Sequence, residues 1–224
     1  ETLAENFSSR TVNTKLAAIN GYLSFIGADE YKVQLLKVQR RAFIDESREL
    51  SAAEYKRLVN AADVGGNERL SLVMQTICAT DIRISELSYI TVDAVKERRM
   101  EIRLKGKSRT VIIPSKLCKK LVEYARRQRI DTGAVFRTKG GKPLDRANVC
   151  HDMKRLCDAA HVERSKVFPH NLRHLFARAF YSIEKNLSHL ADVLGHSSIE
   201  TTRIYVAASS RQYERMLDKM KLIT

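Results

Sequence analysis

The sequence has no tryptophan, no CxxC pair, no Walker loop and no GxGxxG, and no apolar run approaches membrane-spanning length. Most of these absences remove a class of protein. Without the glycine-rich phosphate loops, ATP and nicotinamide chemistry have no support. A spanning helix needs about 20 consecutive apolar residues, and none exist. No basic-then-apolar opening marks a secretory leader. The four cysteines (Cys78, Cys118, Cys150, Cys157) lie in apolar helical patterns without paired spacing, which reads as reduced core thiols of a cytosolic chain. Cys150, His151, Cys157 and His161 are not spaced like a structural zinc site, so neither a metal nor any other cofactor is expected. No internal repeat or low-complexity tract occurs. The missing tryptophan excludes nothing. The chain opens on Glu1 rather than Met, as a piece of a longer protein would.

Acidic residues are the other shortage. Forty Lys and Arg face 26 Asp and Glu over 224 residues, a formal charge of +14. A polyanionic partner follows, and without a basic amphipathic anchor nucleic acid fits better than a membrane. Hydrophobic residues make up 44%, enough for one good core or a core plus a smaller module. The expected setting is cytoplasmic, on the nucleoid.

Val12, Leu16, Ile19, Leu23 and Ile26 form a helical stripe that stops at Gly27. This opening segment has too little apolar surface for a core of its own, and it runs into the basic set Lys37, Arg40 and Arg41. Residues 42–50 carry no periodicity and suit a linker. Ser51 and Glu54 form a capping box ahead of a helix through Tyr55, Leu58, Val59 and Ala62. Leu70 to Ala79 is apolar nearly all round and reads as a buried helix. Residues 89–92, 100–104 and 110–113 have β character, the last two flanking a basic hairpin tip of Lys105, Lys107 and Arg109. Helical patterns follow over 117–129, over 148–160 and from Pro169. Ser197 and Glu200 propose another capped start, and a last helix from Ser209 would carry Tyr213, Met216, Leu217 and Met220 on one face. The expected class is mainly α with a small three-stranded antiparallel sheet, α+β.

One constellation stands out. Arg83 and Glu86 stand at i, i+3, a spacing that fits a buried ion pair and an anion site equally well. His170, Arg173 and His174 share a helical face, Gly195-His196 makes a turn, and Tyr205 follows His196 by nine residues. A lone histidine on an apolar helix is usually a core residue, so His174 and His189 read as structural. A tyrosine hydroxyl has a pKa of about 10 and needs nearby cations or a base to attack at neutral pH, which this set supplies.

The stretches RISEL, HNLRH and LGHSSIETTRIY, in that order, resemble the tyrosine recombinase (phage-type integrase) family, Xer-like and mobile-element integrases included. The resemblance covers residues 51–224 almost continuously. It implies a catalytic domain over 47–224, closing with an exchange helix. Residues 1–46 would then be the last part of a helical core-binding, DNA-clamping domain plus linker. It implies site-specific DNA cleavage and rejoining through a 3′-phosphotyrosine at Tyr205, without metal or ATP, in the service of a phage or mobile element. Arg83, Arg173 and His196 would hold the phosphate oxygens. Lys105 would be the general acid, with Lys107 competing for that role; His170 would handle the proton and Glu86 would orient the site. Lys37, Arg40, Arg41, Lys107 and Arg109 would face DNA. The implied partners are duplex DNA with inverted-repeat sites and further copies of the chain, two per site and four in the synapse.

The chain departs from the family at Asp81, where glycine is usual. Left-handed backbone suits glycine better than aspartate, and a carboxylate beside Arg83 opposes anion binding. Lower activity or stability than an Asp81→Gly variant is expected. Two rivals share much of the pattern: a type IB topoisomerase, and a DNA-binding protein with a decayed site.

Overall fold

The computed structural model describes residues 5–37, 45–104, 107–138, 140–195, 198–206, 214 and 217–219. The chain divides into two compact units, 1–43 and 44–224.

In the first unit, helix α1 (Ser9–Phe25) starts where the Ser8 hydroxyl accepts from the Thr11 N–H. It is followed by Gly27, whose φ of +73° suits a residue without Cβ. Two asparagines two turns apart bind the chain that folds back along α1. Asn20 exchanges both amide bonds with the backbone of Val33, and Asn13 does the same with Leu36. Val12 alone is buried among the described residues of this unit, while Ile19, Tyr22, Phe25 and Ile26 are exposed.

The second unit holds the main core. Helix α2 (Ala52–Val64) begins with the expected Ser51–Glu54 capping box. Helix α3 (Glu68–Thr80) buries Leu70, Leu72, Val73, Met74 and Ile77 and packs against α2 and three helices described below. After α3 the chain makes a 3-10 helix (Ile84–Tyr89) and a short helix α4 (Val92–Glu97). Strands β1 (Arg99–Leu104) and β2 (Lys107–Ile112) then pair antiparallel, from Arg99 opposite Ile112 to Leu104 opposite Lys107.

The sheet therefore has two strands, not three. The Tyr89–Val92 stretch has the β-branched composition of a strand, but the Thr91 side chain accepts from the Ala94 N–H and starts α4 instead. Only a single bridge, Thr91 to Ala134, remains of the expected third strand.

Helices α5 (Ser115–Arg127), α6 (Arg146–Arg155) and α7 (Cys157–Ala160) complete the first wall of the core. Helix α8 (Pro169–Glu184) has proline in its first turn, where the missing N–H costs nothing. It crosses α3 and also carries α9 (Leu187–Leu194) and α10 (Ile199–Val206). Ala177, Leu190, Leu194 and Tyr205 form a second, smaller core between α8, α9 and α10.

Residues 45–50, expected within a linker, dock into this unit. Leu50 is fully buried in the main core, and the Arg178 guanidinium donates to the Leu50 carbonyl and the Glu49 carboxylate. Single docked residues leave no periodic trace in a sequence. The Ser197 cap, most of the last helix, Lys105, Arg40 and Arg41 lie outside the described residues; within that last helix Leu217 is exposed.

Candidate active site

Helix α3 ends at Asp81, whose backbone turns left-handed (φ 54°) while its N–H still reaches the Ile77 carbonyl. That turn redirects the chain so that Arg83 and Glu86 start the 3-10 helix as a reciprocal pair. The Arg83 N–H donates to Glu86 Oε2 at 2.7 Å, and its guanidinium donates to Oε1 at 2.9 Å. The Glu86 side chain is buried, while that of Arg83 keeps half its surface in solvent. The two sequence readings of this pair thus meet: the carboxylate is interior and the cation is presented outward. Burial pushes the Glu86 carboxyl up, but the Arg83 N–H, the Arg109 charge and the Arg83 side chain outweigh it and hold it below the usual carboxylate range.

Arg109 is turned inward, which corrects its expected place on the DNA face. Its side chain is 13% exposed and reaches Glu86 Oε2 at 2.7 Å. It also donates to the carbonyls of Leu194 (2.8 Å) and Asp81 (3.3 Å). The register explains the inversion. β2 begins at Lys107, so Arg109 lies within the strand opposite Ile102, on the face that buries Met100, Ile102 and Val111. Arg109 thereby ties β2 to the end of α9. A Cβ on Gly195 would come within 2.7 Å of Arg109 Cδ, and Gly195 has φ +66°, so this close approach requires glycine.

Arg173 projects from α8 into the same region and is 4% exposed. Its Nη2 donates to Asp81 Oδ2 at 2.8 Å, while Nε and Nη1 have no hydrogen-bond partner. Buried donors are nearly always satisfied, so these two mark a place prepared for an acceptor. Asp81 itself is wholly buried, with Arg109 Nη1 3.7 Å from the same Oδ2. Burial carries its carboxyl up to about 7, against the pull of Arg173, Arg109 and Arg83; Glu86 adds to the rise.

Tyr205, on α10, is 8% exposed. Its hydroxyl lies 3.5 Å from His170 Nε2, long for a hydrogen bond and one small movement from a good one. Burial pushes the phenol up, Arg173 and Arg83 pull it down, and Asp81 opposes them. His170 is brought down to about 4 by burial and by the charges of His174, Arg173, Arg146 and Arg83. At neutral pH His170 is therefore an uncharged imidazole, a proton acceptor facing the phenol.

His174 belongs here as well, which the sequence reading missed. Its ring packs edge-on against Tyr205 with centroids 4.7 Å apart, and its Nδ1 meets Glu49 Oε1 at 3.1 Å. The i, i+4 spacing from His170 was the available signal. Nothing in the sequence pointed to Glu49. His189 is exposed and bonded to Glu184, away from this group.

Arg83, Glu86, Arg109, His170, Arg173 and Tyr205 are thus brought together from the 3-10 helix, β2, α8 and α10. Lys105 and His196 lie outside the described residues, as does the Lys107 side chain. Lys37 is exposed in the first unit. Among the described residues, no group of His, Cys, Asp or Glu is arranged to hold a metal ion.

A sequence profile described as the phage integrase family matches residues 48–212. The chain is 26% identical over 227 residues to the tyrosine recombinase XerA of Pyrococcus furiosus, covering 98% of this chain and 77% of that one. It is 32% identical over 183 residues to the tyrosine recombinase XerH of Campylobacter jejuni, covering 77% of this chain and 50% of XerH. The fold matches that of an XerH site-specific recombinase bound to palindromic difH substrate in a post-cleavage complex. The TM-score is 0.68 at 22% identity, over 84% of this chain and 56% of that one.

Proposed function

The chain belongs to the phage integrase family, and from that membership we propose how its residues perform the breaking and rejoining of DNA strands by a site-specific tyrosine recombinase. The observation that carries the assignment is the facing pair of Tyr205 and neutral His170 beside the unpartnered donors of Arg173.

The Tyr205 oxygen attacks the scissile phosphorus and forms the 3′-phosphotyrosyl bond as the bond to the 5′-oxygen breaks. The phenolic proton passes to His170 Nε2. Arg173 and Arg83 hold the non-bridging oxygens as charge builds on the phosphorane, with His196 assigned to the same oxygens. Loss of one preorganised donor of this kind costs about 3 kcal/mol or more. Glu86 keeps Arg83 in place. The departing 5′-oxygen takes its proton from the lysine at the β1–β2 turn, Lys105, with Lys107 the competing residue. Because the phosphotyrosyl ester conserves the bond energy, a 5′-hydroxyl of another strand reverses the attack, and no nucleotide is hydrolysed.

XerH binds a palindromic site, and we extend that geometry to this chain: one copy per half-site of an inverted repeat, two per site and four in the synapse. The first unit takes the role of the end of a DNA-clamping domain, with Lys37, Arg40 and Arg41 toward the backbone. The protein works on chromosomal or mobile-element DNA in the cytoplasm.

A nicked suicide duplex traps the intermediate, because the short cleaved strand diffuses away. With duplexes carrying randomised half-sites, the wild-type chain forms a covalent adduct and Tyr205→Phe forms none. An adduct that persists in Tyr205→Phe, or none from wild type on any duplex, would overturn the assignment.

A further inference from the structure

Asp81 sits at the centre of the cation cluster that the proposed reaction uses, yet that reaction assigns it no step. It is wholly buried. Its Oδ2 binds Arg173 at 2.8 Å and lies 3.7 Å from Arg109, while its Oδ1 has no hydrogen-bond partner. Glu86, by contrast, is fully engaged by the Arg83 N–H, the Arg83 guanidinium and Arg109. Among the described site residues, Arg83, Arg109 and Arg173 face Asp81 and Glu86, which leaves one net positive charge when both carboxyls are ionised. A phosphodiester brings one negative charge and a phosphorane brings about two, and unbalanced charge is costly where water is excluded. Protonation of Asp81 would raise the net positive charge that these three arginines present from one to two. Asp81 is the carboxyl with the fewest bonds to lose.

We propose that Asp81 is a proton-linked positioning residue: ionised, it holds Arg173 and cancels its charge in the resting site, and protonated, it yields that charge to the scissile phosphate. This rests on the recombinase reading of the same site. The charged and titratable groups facing Asp81 are Arg173 from α8, Arg109 from β2, Arg83 and Glu86 from the 3-10 helix, and Tyr205 from α10. Burial already carries the carboxyl up to about 7. An arriving phosphate adds another negative charge and raises it further, so phosphate binding draws in a proton. The left-handed backbone at Asp81 also accepts asparagine, which keeps the shape and removes the charge.

The test compares adduct formation by wild type and Asp81→Asn on the same suicide duplex, at subsaturating DNA, from about pH 6 to pH 8. Steps shared by the two proteins, ionisation of Tyr205 included, cancel in the ratio of rates. The ratio of the Asp81→Asn rate to the wild-type rate is expected to rise about tenfold across the range, because the protonated fraction of a group titrating near 7 falls by that factor. A flat ratio, whether the variant is uniformly faster or slower, would make Asp81 a brace of shape and overturn the proposal while leaving the recombinase reading intact. No adduct from either protein at any pH would overturn the recombinase reading and the proposal resting on it. Thermal unfolding adds a readout without DNA. Wild type should lose stability relative to Asp81→Asn as pH rises from the ordinary carboxyl value of 3.8 to about 7, where the folded carboxyl ionises and the loss is complete; parallel curves over that window would overturn the proposal. Should Asp81→Asn fail to fold, Asp81→Gly removes the charge and the backbone strain together and takes its place in both measurements.

Discussion

Glu86 is the carboxylate on which two arginines of different elements converge, and its energetics follow from that position. It is buried, bonded to Arg83 and Arg109, and held below the usual carboxylate range. A depressed carboxyl contributes stability that is present above its ordinary pKa and is lost as pH falls through the folded value. Glu86→Gln should therefore lower stability at pH 7 by about 2 kcal/mol, since the amide still bonds but one cation loses its counter-charge. As pH falls below the ordinary carboxyl value of 4.5, the gap between the two proteins should close. Urea unfolding at neutral and acid pH measures both, and a gap that widens in acid would contradict this account. Asp81 has the opposite sign: its carboxyl is raised, so its ionisation weakens the fold as pH increases. The expected rise in activity or stability of Asp81→Gly thus acquires a pH dependence, because the strain at φ 54° is constant and the charge is not.

Between elements, the contact that matters most for the site is the one Arg109 makes from β2 to the end of α9. Gly195 permits it. Gly195→Ala would place a methyl against Arg109 Cδ and force a side chain into left-handed backbone at φ +66°. Arg109 cannot move away cheaply, because three acceptors hold its guanidinium. A loss of about 1–2 kcal/mol of stability is expected from the backbone conformation alone, and DNA cleavage should fall further because His196 is the next residue. Equal unfolding midpoints for Gly195→Ala and wild type would show that α9 and β2 are not coupled through this contact. The docked segment 45–50 plays a similar part at the other side of α8: Glu49 bonds His174 and Arg178, and His174 packs on Tyr205. A stretch that reads as a linker thus helps to hold the histidine that packs on Tyr205.

For the whole molecule, the excess of fourteen positive charges sets the range and salt response of DNA association. Each phosphate neutralised releases counterions, so affinity should fall at least about a hundredfold between ~50 and ~200 mM salt. Filter binding or fluorescence anisotropy across that range checks it, and a flat response would remove the basic surface from the account. The chain's two units enter this differently. The second unit buries Arg109 and Arg173 against Glu86 and Asp81, whereas Lys37 in the first unit is exposed.

The family, the buried character of α3 and the capping box at Ser51–Glu54 were legible in the sequence. These rest on local spacing and on motif text, which survive without knowledge of packing. The sequence also marked Asp81 as out of pattern. The direction of Arg109 was settled by packing, because one residue of strand register moves a side chain from one face of a hairpin to the other. The same holds for the 3-10 turn in place of a third strand, where a side-chain cap on α4 outweighs β-branched composition. The partners of Asp81 lie 28 and 92 residues away along the chain. No local pattern encodes such a contact; it exists because α3, β2 and α8 pack around one core, and with it comes the shifted carboxyl beside Arg173.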